Sequence, residues 1–283
     1  MQPDDTIGII GAGVVGGSLQ AYLRERGADV RVYDPPKGHN DFAPVNAAPT
    51  VFVCVPTPYA VGRGFDDRCL LDAVARIEGA KTVVIKSTVL PGTTALLQTR
   101  YPRHRFVFNP EFLREATAFQ DFIQPDRQIV GVTAESASEG PRVMAMMPRA
   151  PFELICPAGE AEMAKYAANS FLAVKVSYAN EIFDLCQRLR LDYARVRDIV
   201  AADPRIGASH MDVHDAGYRG YGGKCLPKDS KSLLDLARSA GVELEVLRAA
   251  DRVNAALHPQ AGGVAPAPRL LTPHERATEE RAA

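Results

Sequence analysis

The chain has 283 residues, 46% of them hydrophobic and 24% charged, with a net charge of −1. That length suits one large domain or two modest ones, and the near-neutral balance excludes a general nucleic-acid binder. No apolar run approaches the about 18 residues of a membrane span, and the opening MQPDDTIGII lacks the basic and apolar regions of a secretory signal.

Residues 6–34 read as one βαβ unit: TIGIIG is a buried strand, AGVVGGSLQAYLRERG a glycine turn opening a helix, and ADVRVYD a second strand. Strand-like runs follow at 50–55, 81–87, 105–109 and 127–132, with helical patterns such as RCLLDAVARIEG between them. Strands alternating with helices predict a doubly wound parallel sheet, covered on both faces, over residues 1–157. From residue 158 the apolar period becomes helical, and an all-α region with a long central helix is expected over 158–258. On that long helix Met163, Tyr166, Ser170 or Phe171, Val174 and Tyr178 are predicted to share a face. YARVRDIVAAD, DSKSLLDLARSAG and ELEVLRAADRVNAAL are further helices, and the Pro-, Ala- and charge-rich residues 259–283 are expected to be disordered. The five cysteines, at 54, 69, 156, 186 and 225, form neither CxxC pairs nor a dense disulfide pattern. They are read as reduced and the compartment as cytosolic.

GAGVVG matches G-x-G-x-x-G, follows a strand, opens a helix and leads to Asp34 at the end of the next strand. Gly11 permits the tight turn, Gly13 lets backbone approach a pyrophosphate and Gly16 allows close helix packing, with Val14 and Val15 completing the turn. A pyrophosphate would sit on the helix N-terminus. Asp34 would accept from the adenine-ribose hydroxyls and repel a 2′-phosphate, so the cofactor is predicted to be NAD. The turns VPTP, with Pro56 and Thr57, and STVLPGTT, with Thr88, are placed to line the same cleft; each taken alone reads as a plain loop sooner than as a site.

In GYGGKCLPKD, Pro227 suits the first turn of a helix, which puts Cys225 at or just before its N-terminus with Lys228 nearby, a place that favours the thiolate. Asp229 follows at i+4, and Gly222 and Gly223 leave room for a ligand. Taken alone, Cys225 could equally be a small buried hydrophobe. Lys165 and Asn169, i and i+4 on the long helix, can present an ammonium and an amide to one point, as an oxyanion site requires, or form an ordinary helix rim. Glu111 and Glu115 are also i and i+4, which on a helix usually marks a solvated face.

Together these motifs resemble the UDP-glucose/GDP-mannose dehydrogenase family. The matching pieces are GAGVVG, VPTP, KSTVLPGTT, NPEFLREATAFQDF, PDR at 125–127, EMAKYAANSFLAVKVSYANEI, DPRIG at 203–207 and GYGGKCLPKD, in the family's order. The resemblance implies oxidation of the C6 alcohol of a nucleotide sugar to a carboxylate with two NAD, most closely UDP-glucose to UDP-glucuronate. It implies Cys225 as the nucleophile, forming a thiohemiacetal and then a thioester. Lys165 and Asn169 would stabilise the oxyanion, Asp229 and Thr88 would hold a water, and Glu111 would assist thioester hydrolysis. Glu115 and Lys228 would lie by the cofactor, and Phe112, Leu113, Tyr221, Gly222 and Gly223 by the substrate. Arg205 would reach a substrate phosphate in a neighbouring subunit, which implies a homodimer, and the helix from about 232 to 258 would be the central dimer helix. No metal, nucleic acid or membrane partner is implied.

The sequence also departs from the family. Only 15 residues separate Asp34 from Thr50, where relatives carry a longer crossover, and relatives continue into a second Rossmann-like domain that closes over the nucleotide. The segment SHMDVHDAGYRG, with His210, His214 and Arg219, lengthens the stretch between Arg205 and Cys225. It reads either as replacement phosphate contacts or as a polar loop; histidines four apart with no evident third ligand do not make a metal site. Two further readings therefore stand beside the two-step dehydrogenase: a one-step alcohol dehydrogenase on another substrate, and a non-catalytic NAD-binding remnant.

Overall fold

A computed structural model describes residues 6–60, 62–214 and 217–257; the expected tail at 259–283 lies outside them. The elements, in chain order, are β1 (Thr6–Ile10), α1 (Val14–Glu25), β2 (Asp29–Tyr33), α2 (Ala43–Ala47), β3 (Thr50–Val53), β4 (Tyr59–Ala60), β5 (Gly64–Phe65), α3 (Arg68–Ala75), β6 (Thr82–Ile85), α4 (Thr93–Arg100), β7 (Arg105–Phe108), α5 (Ala118–Ile123), β8 (Arg127–Val132), α6 (Gly140–Met146) and β9 (Phe152–Pro157). Helices α7 (Ala158–Leu189), α8 (Tyr193–Ala201), α9 (Leu226–Ser239) and α10 (Glu245–Leu257) follow. The described residues form two compact units, one of those up to Asn169 with Lys231–Gly241, the other of those in Ser170–Ser230 with residues 242–257.

The first unit holds a seven-stranded sheet in the order β2-β1-β3-β6-β7-β8-β9. Its strands read as almost unbroken apolar runs because both faces are covered. Val51, Val53, Val83, Ile85, Phe106 and Phe108 point into one core with Leu70, Val74 and Leu97. Phe52, Val84, Val107 and Val130 point into the other with Leu19, Leu23 and Phe122. The strand order reverses between β1 and β3, so the turns after these two strands face the crevice where open α/β sheets bind ligands.

One expectation is corrected within this sheet. The strands from β2 to β7 are parallel, but β8 runs antiparallel to β7, pairing Val107 with Val132 and Phe108 with Gly131. The only α-helix on that connection, α5, has six residues, about 9 Å at 1.5 Å per residue, which is too short to carry the chain back for a parallel return. The edge strand β9 and the small β4–β5 hairpin were not foreseen. The crossover between Asp34 and Thr50 holds only a 3-10 turn (Pro35–Lys37) and the five residues of α2.

The α7 face expected from hydropathy is also corrected. Tyr166 and Ser170 are buried, but Phe171 is 68% and Tyr178 59% exposed, and Met163 is exposed too. The buried stripe also carries polar groups, and Ser177, Asn180 and Glu162 have partners while the Ser170 hydroxyl has none among the described residues. Ser177 Oγ donates to the Ala250 carbonyl at 3.0 Å, and Asn180 Nδ2 to that of Val176 at 2.9 Å. Glu162, fully buried, accepts from Gly92 N–H (2.6 Å), Thr94 N–H (2.8 Å) and Thr94 Oγ1 (2.6 Å), which caps α4 from another helix. Burial raises the Glu162 pKa above the usual carboxylate range, against the lowering by these donors. Replacing Glu162 with alanine strands two buried Thr94 donors and frees the Gly92 N–H, so a loss of about 2–4 kcal/mol is expected in urea unfolding; an unchanged midpoint would show that the cap adds nothing.

In the second unit α7 packs on α8 and the loop that follows it through Phe183, Cys186, Tyr193 and Val213. Tyr193 donates its hydroxyl to the Met211 carbonyl at 2.7 Å. The residues from 232 to 257 form two helices, as their periodicity predicts and not the single helix that the resemblance implies, broken after Ser239 at Gly241, whose φ is +73°.

Candidate active site

The first unit gathers its candidate residues at the C-terminal ends of β1, β3, β6 and β7. Gly11 takes φ +87°, with its N–H on the Tyr33 carbonyl at 2.9 Å. A Cβ on Gly16 would stand 1.9 Å from the Gly11 oxygen, so only glycine lets α1 start this close to the turn. Gly13 caps α1 with no side chain of its own, the first turn of α1 holds no carboxylate, and a Cβ on Gly13 would meet nothing within 4 Å. Helix N–H groups therefore face open space without an internal anion, which fits a dinucleotide pyrophosphate. Val14 is exposed and Val15 half-buried in this turn.

Asp34 is half-buried at the end of β2. Its Oδ2 accepts the Ala12 N–H at 2.7 Å, which ties it to the glycine turn, and its other oxygen has no bond among the described residues. Lys37 Nζ reaches the Ala12 carbonyl from the next turn. Thr57 Oγ1 donates to the Thr88 carbonyl at 2.7 Å, and Ser87 Oγ to that of Val55 at 2.7 Å, so the turns after β3 and β6 are stitched together beside exposed Pro56.

The loop after β7 is not a helix, so Glu111 and Glu115 do not share a helical face. Pro110 follows the last strand pairs, and Glu111 Oε2 accepts the Leu113 N–H at 2.8 Å, closing a local turn. Glu115 only begins a 3-10 turn. Lys165 is buried, not at a solvated rim: its Nζ donates to the Glu111 carbonyl at 2.6 Å and to Glu111 Oε1 at 3.0 Å. Burial alone would raise the Glu111 pKa. The Lys165 charge, the Leu113 N–H, the Lys165 hydrogen bond and the Lys86 charge outweigh it and hold the group below its usual range. An ammonium has three donors, and Glu111 engages two of those of Lys165. Asn169, one turn on, is also buried. The Arg127 guanidinium lies 3.8 Å and Lys165 Nζ 5.3 Å from the centre of the Phe112 ring, while Leu113 packs toward the core.

In the second unit Cys225 is exposed and immediately precedes α9, where Pro227 sits in the first turn; the Asp229 N–H donates to the Cys225 carbonyl at 3.0 Å. No disulfide joins any of the five cysteines. Asp229 is fully buried and pairs with Lys228 Nζ at 2.5 Å. Tyr221 is buried: its N–H and carbonyl are clamped by the Asn254 amide at 2.6 and 2.9 Å, and burial pushes its hydroxyl above the usual range. Gly222 lies against Tyr218, and Gly223 takes φ +73°. Arg205 is exposed and ion-paired to Asp203 at 2.5 Å.

The described residues between 208 and 220 pack within the second unit. Met211 and Val213 are buried, His214 meets the Phe183 ring edge-on, and Arg219 donates to Asn180 Oδ1 at 3.0 Å and to Asp184 at 2.7 Å. Arg219 is thus spent on α7, which favours the plain-loop reading over replacement phosphate contacts. The Lys86–Asn109 contact was missed from sequence; the available signal was a lysine ending the apolar run TVVI.

Two family descriptions match: the NAD binding domain of the UDP-glucose/GDP-mannose dehydrogenase family over residues 37–147, and its central domain over 159–256. The glycine turn precedes the first match. The UDP-glucose 6-dehydrogenase AglM of Haloferax volcanii is 31% identical over 300 residues, covering 88% of this chain and 69% of that protein. The chain belongs to the UDP-glucose/GDP-mannose dehydrogenase family. The UDP-glucose 6-dehydrogenase TuaD of Bacillus subtilis is 35% identical over 222 residues, 74% of this chain but 47% of TuaD. A solved UDP-glucose dehydrogenase from Pyrobaculum islandicum superposes with a TM-score of 0.76 at 30% identity, covering 88% of this chain and 68% of that one. The chain spans about half the length of the first curated relatives it matches. Its family cofactor is NAD, and the turn around Gly13 and Asp34 suits it. Among the described residues no helix is long and apolar enough to cross a membrane.

Proposed function

We propose that the protein oxidises the C6 alcohol of a nucleotide sugar, UDP-glucose in the first instance, to the carboxylate in two steps. The observation that carries this reading is an exposed Cys225 at the start of α9, in a chain whose buried Lys165 is already anchored on Glu111. NAD, when bound, accepts a hydride in each oxidation. The glycine turn, with Val14 and Val15, Asp34, Pro56, Thr57, Thr88, Glu115 and Lys228, is assigned to hold it.

The first oxidation leaves an aldehyde at C6. The Cys225 thiolate adds to that carbon, and the oxygen takes a proton, giving a thiohemiacetal. The thiohemiacetal carbon keeps its C–H and carries a hydroxyl; when that hydroxyl gives up its proton the hydrogen can leave as hydride, and the oxidation gives a thioester. Water then displaces the Cys225 thiolate and the carboxylate leaves. The third N–H of Lys165, with the Asn169 amide, is assigned to the oxyanion at each tetrahedral stage. Asp229 and Thr88 hold the water that moves protons, and Glu111 takes a proton from the hydrolytic water. Phe112, Leu113, Tyr221, Gly222 and Gly223 are assigned to the substrate.

A homodimer belongs to this reading, with Arg205 reaching a substrate phosphate in the second copy. An exposed apolar stripe on α7, Phe171, Tyr178, Leu185 and Leu189, supports it, since these positions recur at intervals of seven and four on one face.

Purified protein, NAD and a panel of nucleotide sugars test the proposal by NADH count. Two NADH per sugar are expected. One would favour a one-step alcohol dehydrogenase, and none with NAD still bound would favour a non-catalytic remnant.

A further inference from the structure

Lys86 follows β6 and is 3% exposed. Its Nζ donates to Asn109 Oδ1 at 2.7 Å, approaches the Asn109 carbonyl at 3.4 Å and lies 5.6 Å from the centre of the Phe122 ring. No carboxylate forms an ion pair with it among the described residues. Asn109 is itself fully buried and passes the contact on. Its Nδ2 donates to the Ile129 carbonyl at 2.7 Å and to Gln128 Oε1 at 3.3 Å, and its N–H to the Ile85 carbonyl at 2.9 Å. Pro110 and Glu111 come next, so Asn109 is the last fixed point before the turn on which Lys165 is anchored.

We infer that Lys86 is a positioning residue of the proposed reaction: through Asn109 it fixes the turn carrying Glu111, and so the anchor that aims Lys165. This rests on the roles proposed above for Glu111 and Lys165. A neutral donor would satisfy the Asn109 oxygen, and burying an ammonium without a counter-charge is costly to the fold. What only the ammonium adds is a positive charge that favours the ionised Glu111 carboxylate. The ionisable groups facing Lys86 are the Cys54 thiol, Glu111 and Lys165. Burial lowers Lys86 to about 8, with Cys54 and Glu111 opposing the shift and Lys165 adding to it.

The test uses the full chain with Lys86→Gln, which keeps a donor without charge, and Lys86→Met, which removes both. Two readouts need no turnover: exchange of the Leu113 amide, which bonds Glu111, and the titration midpoint of the 13C-labelled Glu111 carboxyl, assigned with Glu111→Gln. In Lys86→Met, Leu113 exchange is expected to rise at least about ten-fold relative to sheet amides, the scale on which a local opening separates from global unfolding, with the Glu111 midpoint moving up. In Lys86→Gln the exchange stays near wild type and the midpoint still moves up.

A folded Lys86→Met with neither readout changed, or a folded Lys86→Gln with an unmoved midpoint, overturns the inference. Should the variants not fold, the wild-type Glu111 carbon must show a second inflection as Lys86 titrates near 8; a single transition overturns it. If two NADH per sugar form and no readout moves, the inference alone falls. If no sugar is oxidised and the readouts move, the proposed function falls and the coupling stands.

Discussion

Replacing Cys225 with serine is expected to cut carboxylate formation at least about a thousand-fold, equivalent to about 4 kcal/mol of activation free energy, while NAD binding stays at the wild-type level. The physical reason is the nucleophile. A thiol ionises near neutral pH and a serine hydroxyl does not, so without a dedicated base the aldehyde is not captured. The side chain is exposed and belongs to none of the buried clusters among the described residues, so the substitution has little packing to disturb. Folding and cofactor affinity are therefore clean controls. The measurement is acid product by mass spectrometry beside the NADH count, with the aldehyde or its hydrate expected to accumulate at one NADH per sugar. Acid made by the variant at a normal rate would sink the covalent mechanism, whatever the sugar.

The second large effect concerns the glycine turn and uses a pair of variants. Gly16→Ala places a methyl 1.9 Å from the Gly11 carbonyl oxygen and 3.2 Å from Cys54 Cβ. The first neighbour is backbone and cannot swing away, so either the turn or the start of α1 must move. A fall in NAD affinity of about a hundred-fold or more is expected, about 2.7 kcal/mol, with a loss of about 1–3 kcal/mol in stability from overpacking. Gly13→Ala meets no protein atom within 4 Å, and the Gly13 backbone is extended at φ −64°, so the variant is expected to melt as wild type does. Its methyl nevertheless occupies the space where a pyrophosphate would approach, so NAD should bind at least about ten-fold more weakly, about 1.4 kcal/mol. Calorimetric titration with NAD and thermal melts read both. Wild-type affinity in Gly16→Ala would remove the cofactor from this turn.

Much of the fold was legible because its signals are local. The strand runs TIGII, TVFV, TVVI, RFVF and RQIVGV are apolar on both faces, as only a doubly covered sheet requires, and each appears where expected. The start of α9 was legible because Pro227 can occupy only the first turn of a helix without losing a hydrogen bond. The inward face of α7 was not legible. Hydropathy ranks Phe171 and Tyr178 as core and Glu162 and Lys165 as surface, whereas burial follows the partners each group finds. Glu162 finds donors from residues 92 and 94, and Lys165 finds acceptors on residue 111, all more than fifty positions away. The reversal of β8 depends in the same way on the length of α5 and on the Asn109 loop, neither of which periodicity reports.

The sequence by itself determined the kind of chemistry available: a glycine turn with an acidic residue after the next strand, a cysteine before a proline-started helix, and a lysine and an amide one turn apart. Those follow from covalent spacing and backbone sterics, which act within a few residues. Only the tertiary structure decided that Lys165 is buried on Glu111, that Glu111 sits in a turn held at both carboxylate oxygens, that Arg219 is consumed by α7, and that the buried Lys86 bonds Asn109 ahead of that turn. Charges choose partners by distance in space, and the strength of each choice is set by how much water the fold excludes around it.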